Sequence, residues 1–215
     1  MGIVRRNLFI VRHGRTEYNA LRKVQGSGID SNLDHIGEQQ ANYLFQKYKD
    51  QGFDMLISSG MKRSDATIDR FISSGIPHLV KPQFREISWG DHEGQDPIPE
   101  LISTYLDTVK SWKSGNYHAS LPNGESALQL SNRIREGLDL LLTHDFENAL
   151  ICSHGRTIRA MLTILLDEPL SEMEKYEHNN TGVFLIRVDT DGRKLILNND
   201  ISHLPEFISL MSIKE

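Results

Sequence analysis

Cysteine is nearly missing from this chain: there is one, Cys152, among 215 residues. A lone cysteine excludes an intrachain disulfide and a zinc cluster built on thiolates. No apolar run approaches the roughly 20 residues that span a bilayer, and the N-terminal stretch has no long hydrophobic segment of the secretory kind. Positive charge is not in excess either. The formal net charge is −5, which argues against a general nucleic-acid surface. Gly26 and Gly28 do not complete a G-x-G-x-x-G fingerprint, and no G-x-x-x-x-G-K-[ST] loop occurs. H-x-x-x-H and carboxylate-rich metal-site spacings are also missing. The remaining composition, 38% hydrophobic and 25% charged, is that of an ordinary globular chain long enough for one full core. The expectation is a single unit over 1–215 in the cytoplasm. It has no membrane or nucleic-acid partner, and its oligomeric state is open.

Strand and helix patterns alternate along almost the whole chain. Apolar runs at 7–11, 54–58, 78–82, 149–153, 182–188 and 194–198 predict strands. The last two are joined at Thr190-Asp191-Gly192, a hairpin signal. Amphipathic stretches predict helices near 34–49, 62–72, 99–113, 124–144 and 156–166, with a helical cap subdomain at about 95–145. Little periodicity remains after 198. This order predicts an α/β fold with helices on both faces of a sheet. The polar loop 14–34 is unusually long for a compact unit, and such loops often carry binding groups; a second loop, 84–99, has an unusual polar content.

Two strands end alike, in Arg12-His13-Gly14 and in Ser153-His154-Gly155. Open α/β sheets place ligands at carboxyl strand ends, so the two histidines are expected to meet. A neutral imidazole attacks phosphorus well once its second nitrogen is fixed by a hydrogen bond. His13 is the candidate nucleophile, and Gly14 is expected to bring backbone amides near the ligand. The planar guanidinium matches phosphate oxygens, which makes Arg12 and Arg63 candidate clamps. Lys62 should point to solvent. His154 is expected to donate to the transferring phosphoryl group. Glu86 is the candidate general acid, with Glu17 and Glu93 as runners-up. Arg15 and Arg22 are candidate substrate contacts from the first loop. Arg156 is weighed equally as a pocket or a surface residue, while Arg133 reads as a surface charge and Cys152 as packing. A metal site on His13, His154 and a carboxylate competes with this reading, but the adjacent arginines oppose a divalent cation.

These motifs resemble the histidine phosphatase superfamily, in the branch holding cofactor-dependent phosphoglycerate mutases and broad phosphatases. The resemblance rests on VRHGRTEYN at 11–19, SSGMKRSDAT at 58–67, FREISWGDHEG at 84–94, PNGES at 122–126, CSHGRTIRAML at 152–162 and Asn180-Thr181. It implies a phosphoglycerate mutase-like three-layer α/β/α sandwich with a central, mostly parallel sheet. It implies His13 as phospho-acceptor, with Arg12, Arg63 and His154 around the phosphate and Glu86 as proton donor. Asn19 becomes a phosphate ligand. Thr16, Asn180 and Thr181 stand close by, and neither an organic cofactor nor a metal is implied. The implied substrate is a phosphorylated small molecule. The chain is short for a mutase, whose extra helical segments shield the phosphohistidine, so a metal-independent phosphomonoesterase is the expected activity. A mutase-like phosphotransferase and an inactive phospholigand-binding protein are the alternatives.

Overall fold

The computed structural model describes residues 5–212. The outermost parts of the expected 1–215 unit, residues 1–4 and 213–215, lie outside them. Six strands form one sheet: β1 (Arg6–Arg12), β2 (Met55–Ser58), β3 (His78–Val80), β4 (Asn148–Ser153), β5 (Val183–Asp189) and β6 (Gly192–Asp200). Their spatial order is β3-β2-β4-β1-β5-β6. The first four in that order run parallel, and the β5–β6 hairpin adds two antiparallel strands at one edge. The sheet is thus mixed, with a mostly parallel centre.

Alternation along each strand sends side chains to opposite faces. Leu8 and Ile10 of β1 enter one core with Ile57, Ile151 and Phe184, whereas Phe9 and Val11 enter another with Leu56, Cys152 and Leu185. Helices α2 (His35–Tyr48) and α3 (Lys62–Ser73) close the second core through Leu44, Ile68 and Phe71. Helices α5 (Ala127–Leu142) and α6 (Gly155–Leu165) close the first through Leu130, Ile134, Ile158 and Leu162. Three layers result. Each fully buried aliphatic side chain contributes about 1.5–3 kcal/mol toward holding them together.

Capping explains several boundaries. Asp34 caps α2 by accepting from the Gly37 amide at 2.8 Å. Ser126 and Gln129 form a reciprocal capping box that starts α5 three residues later than its pattern suggested. A second box, Thr16 with Asn19, makes a four-residue helix α1 (Glu17–Ala20) inside a loop that showed no periodicity. Another short helix, α7 (Glu206–Leu210), lies in the featureless C-terminal stretch. The expected cap at 95–145 divides in two. Helix α5 belongs to the core layer, while α4 (Pro99–Lys113) stands beside the 3-10 segment 170–175 and buries Trp112. Among the described residues, no helix is long and apolar enough to cross a membrane.

Candidate active site

Register brings the two histidines together. In the parallel β1–β4 pair, Arg12 lies opposite Ser153, so His13 and His154 are each the next residue beyond the ladder. The His13 amide donates to the Ser153 carbonyl at 3.0 Å, and the two ring centroids are 5.1 Å apart. His13 Nδ1 lies 2.8 Å from the Gly14 carbonyl. A carbonyl only accepts, so Nδ1 carries the hydrogen and Nε2 holds the lone pair. Burial, then the nearby charges of Arg63 and Arg12, hold the His13 pKa well below 6.5. The ring is therefore neutral at physiological pH.

A cavity of about 670 Å³ opens at this strand end. Arg12, His13, Asn19 and Glu86 line it, as do Arg22 and Lys23 of the first loop. Asn19 Oδ1 accepts from the Thr16 amide (3.3 Å) and from Asn180 Nδ2 (3.3 Å), which leaves the Asn19 amino group for the cavity. Glu86 Oε1 accepts from the Ile87 and Thr157 amides at 2.9 and 3.1 Å, and Oε2 from the Arg156 amide at 3.1 Å. The acid segment thus docks on the first turn of α6, where orphan amides await acceptors. Arg133 pins it from behind. Its guanidinium pairs with Glu125 at 2.6 Å and donates to the carbonyls of Gln83, Arg85 and Glu86. Arg133 is therefore a brace between α5 and the acid segment rather than a surface charge.

Arg63 and His154 are fully buried beside His13 and are not among the residues that line the cavity. Arg63 donates to the carbonyls of Ile29 (2.6 Å) and Gly26 (3.3 Å), and its Nε–H donates to His154 Nδ1 at 3.2 Å. Acceptance at Nδ1 puts the His154 hydrogen on Nε2, which donates to Ser59 Oγ at 2.8 Å. Both nitrogens of His154 are thus engaged within the protein, so this conformation presents no ring N–H to the cavity. Burial holds the His154 pKa well below 6.5, with Arg63 adding to the effect.

Gly14 also differs from expectation. Its amide donates to Thr67 Oγ1 at 2.9 Å, and a Cβ there would stand 2.7 Å from the Gly37 carbonyl oxygen. Glycine is needed at 14 for the close approach of α2, not to present an amide to ligand.

Of the candidate substrate contacts, only Arg22 lines the cavity. Arg15 is held in an ion pair with Asp34 at 2.8 Å, and Thr16 is spent as the α1 cap. Glu17 points to solvent. Asn180 donates to the His13 carbonyl at 3.1 Å, and Thr181 Oγ1 donates to the Asn180 carbonyl at 2.8 Å. These two brace the histidine strand end from below. Glu93 accepts from the amides of Gly28 and Trp89, tying the two long loops together. Lys62 is exposed, as expected. Cys152 is buried and its thiol is pushed up to about 12 by burial, which suits packing. Among the described residues, no group of three or more His, Cys, Asp or Glu is placed to hold a metal.

Arg156, weighed equally as a pocket or a surface residue, lines the cavity, and so does Trp89. Sequence reasoning missed Arg159, Glu174, His178 and Tyr105, which line it too. The spacing of Arg156 and Arg159, one turn apart on a helix of otherwise mostly apolar or small residues, was a usable signal. Glu174 and His178 had none, since tertiary contacts alone bring them here.

The class defined by this fold and strand-end site is an α/β protein with paired histidines and a cationic cavity at the carboxyl edge of its sheet. The model of the histidine phosphatase superfamily (branch 1) matches residues 8–201, and the chain belongs to that family. It is 32% identical over 184 residues to a Yersinia pestis protein named "Probable phosphoglycerate mutase GpmB", covering 85% of this chain and 84% of the relative. Among solved structures, a phosphoserine phosphatase mutant from Entamoeba histolytica in complex with phosphoserine is 27% identical. It matches with a TM-score of 0.78 over 93% of this chain and 99% of that one. The alpha-ribazole phosphatase of Shigella flexneri shares the fold, with a TM-score of 0.79 at 23% identity over 90% of this chain and 96% of that one. Relatives thus carry both phosphatase and mutase names.

Proposed function

We propose that this protein is a metal-independent phosphomonoesterase that hydrolyses a small phosphorylated metabolite through a phosphohistidine on His13. The observation that carries the reading is the tautomer of His13. Its Nδ1–H is spent on the Gly14 carbonyl, so the lone pair sits on Nε2 of a neutral ring at the cavity wall beside Arg12. In the first step Nε2 bonds to phosphorus, and the bond from phosphorus to the ester oxygen breaks. Glu86, in its acid form, gives its proton to the leaving oxygen. In the second step the Glu86 carboxylate takes a proton from water, whose oxygen bonds to phosphorus as the P–N bond breaks. Phosphate and neutral His13 result.

Arg12 and the amino group of Asn19 hold the phosphoryl oxygens in this scheme. Arg63 contributes its charge from beside His154, and His154 fixes the Arg63 guanidinium through Nδ1. That assignment makes His154 a positioning residue rather than a direct donor. A water-accessible cavity favours hydrolysis over phosphotransfer, since its mouth carries exposed Arg22 and Leu210. Product analysis tests the reading. Free phosphate from a panel of small phosphomonoesters is the expected result; an isomerised phosphorylated acid without phosphate release would establish the mutase instead.

A further inference from the structure

The strand end that delivers His13 is tied to the turn at 179–182. The Arg12 amide donates to the Gly182 carbonyl at 3.4 Å, and the Arg12 carbonyl accepts from the Thr181 amide at 3.1 Å. The His13 carbonyl accepts from Asn180 Nδ2 at 3.1 Å. The His13 amide goes to Ser153 on the other side. The turn itself is closed by the Gly182 amide on the Asn179 carbonyl at 3.0 Å. Its shape therefore fixes where β1 places the nucleophile.

That shape is not one its own residues favour. Thr181 stands at φ 55°, a region suited to glycine and foreign to a β-branched side chain. Such a residue persists only where its surroundings over-determine it. Thr181 is buried, and its hydroxyl donates to the Asn180 carbonyl at 2.8 Å and lies 3.1 Å from His203 Nε2. A hydroxyl has one hydrogen and a carbonyl only accepts. The hydrogen goes to Asn180, so His203 Nε2–H donates to the Thr181 oxygen.

His203 follows β6 and packs edge-on to Tyr48 of α2, with ring centroids 6.3 Å apart. Burial lowers its pKa to about 4 against the pull of Asp200, with Lys47 adding to the lowering. The ring is neutral and carries one hydrogen, which Thr181 receives. Its other nitrogen, Nδ1, is buried without a hydrogen-bond partner. Leucine would fill the same space without orphaning a nitrogen, so packing alone does not account for a histidine here.

We propose that His203 is a positioning residue for the reaction: its Nε2–H locks Thr181, and through the 179–182 turn it holds the Arg12–His13 strand end in place. The inference rests on the reading of His13 as the nucleophile. His203 touches neither the substrate nor the His13 ring. It acts through the Thr181 hydroxyl and backbone.

Four variants test this: His203→Leu, which has no donor; His203→Gln, whose amide can donate where Nε2 did; Thr181→Val, which removes the acceptor; and the double variant His203→Leu/Thr181→Val. On p-nitrophenyl phosphate, His203→Leu should lower kcat by about 10- to 100-fold with KM within about twofold of wild type, and His203→Gln should recover most of the loss. The double variant should lose no more than the worse single one, because both remove the same hydrogen bond. Long-range proton–nitrogen NMR of histidine-labelled protein adds a readout that needs no turnover. The His13 ring resonances should shift in His203→Leu and return in His203→Gln. A merely structural His203 would lower the Tm of both variants and leave kcat, measured well below Tm, and the His13 resonances alone. Should His203→Leu not fold, the contrast of Thr181→Val with Thr181→Ser, which keeps the hydroxyl, carries the same comparison. Unmoved His13 resonances, no rescue by glutamine or serine, or additive losses in the double variant would each overturn the proposal. A wild-type protein that releases no phosphate would defeat the phosphatase reading while the resonances still report on the brace, so either can fail without the other.

Discussion

Replacing Glu86 with glutamine keeps the side chain's shape and removes the proposed proton. Glu86 accepts three backbone N–H groups in the structure, two at Oε1 and one at Oε2. Glutamine keeps one accepting oxygen and turns an amino group toward a donor, at a local cost of about 1–3 kcal/mol. That is a fraction of the roughly 5–15 kcal/mol that stabilises a typical domain, so the variant should fold. The kinetic effect should be larger. General acid catalysis contributes about 10²- to 10⁴-fold, or about 3–5 kcal/mol of barrier. An alkyl phosphate expels a strongly basic alkoxide and needs that proton. p-Nitrophenyl phosphate expels a stable phenolate and needs little help. Glu86→Gln should therefore lower kcat/KM for an alkyl phosphate by about 10²–10⁴ and for the aryl ester by no more than about tenfold. Phosphate release measured on both substrates gives the two ratios. Equal slowing of both would refute the acid role and pass it to another group.

Other expectations follow from the same contacts. His13, His154 and His178 are held well below 6.5 by burial, and His203 is lowered to about 4. The unfolded chain takes up these protons near pH 6.5 and the folded chain only at lower pH. Stability is thus fully present above pH 6.5 and lost below it, by up to about 1.4 kcal/mol per pH unit for each such group. Urea midpoints at pH 7 and pH 5 should differ accordingly, and equal midpoints would contradict the buried neutral rings. Arg63→Met removes the donors to Ile29 and Gly26 as well as a charge. It should speed proteolytic cleavage within 22–34 and lower kcat/KM by about 10²–10³; a loop as resistant as in the wild type would show that Arg63 does not anchor it. Activity should survive exhaustive treatment with a chelator, and loss restored by added metal would revive the competing metal site.

Much of this architecture was legible because the strands are short apolar runs punctuated by glycine and proline, and α2 and α5 carry side-chain caps. His13 and His154 could be paired from sequence since parallel strands put equivalent ends on one edge of a sheet. What the residues do there was less legible. Arg63 and His154 were expected to face the phosphate; in this structure both are buried and hydrogen-bonded to Ile29, Gly26 and Ser59, partners no pattern announced. Thr16 and Asn19 fall in a box whose local bonding depends on a loop without periodicity. Arg133 carried no pattern, because its partners lie up to 50 residues away. The α6 wall was half visible: its two arginines share a helix face, but Glu174 reaches them only through the packing of the 170–175 segment on α6.

The central claim is the covalent intermediate on His13, and rapid quench tests it most directly. Enzyme mixed with a 32P-labelled phosphomonoester and denatured within milliseconds in alkali, where phosphohistidine survives, should carry label on the peptide containing His13. The label should disappear on chase with unlabelled substrate as fast as turnover, and His13→Ala should carry none. Full turnover by His13→Ala, or label on another residue at a rate matching kcat, would contradict the account.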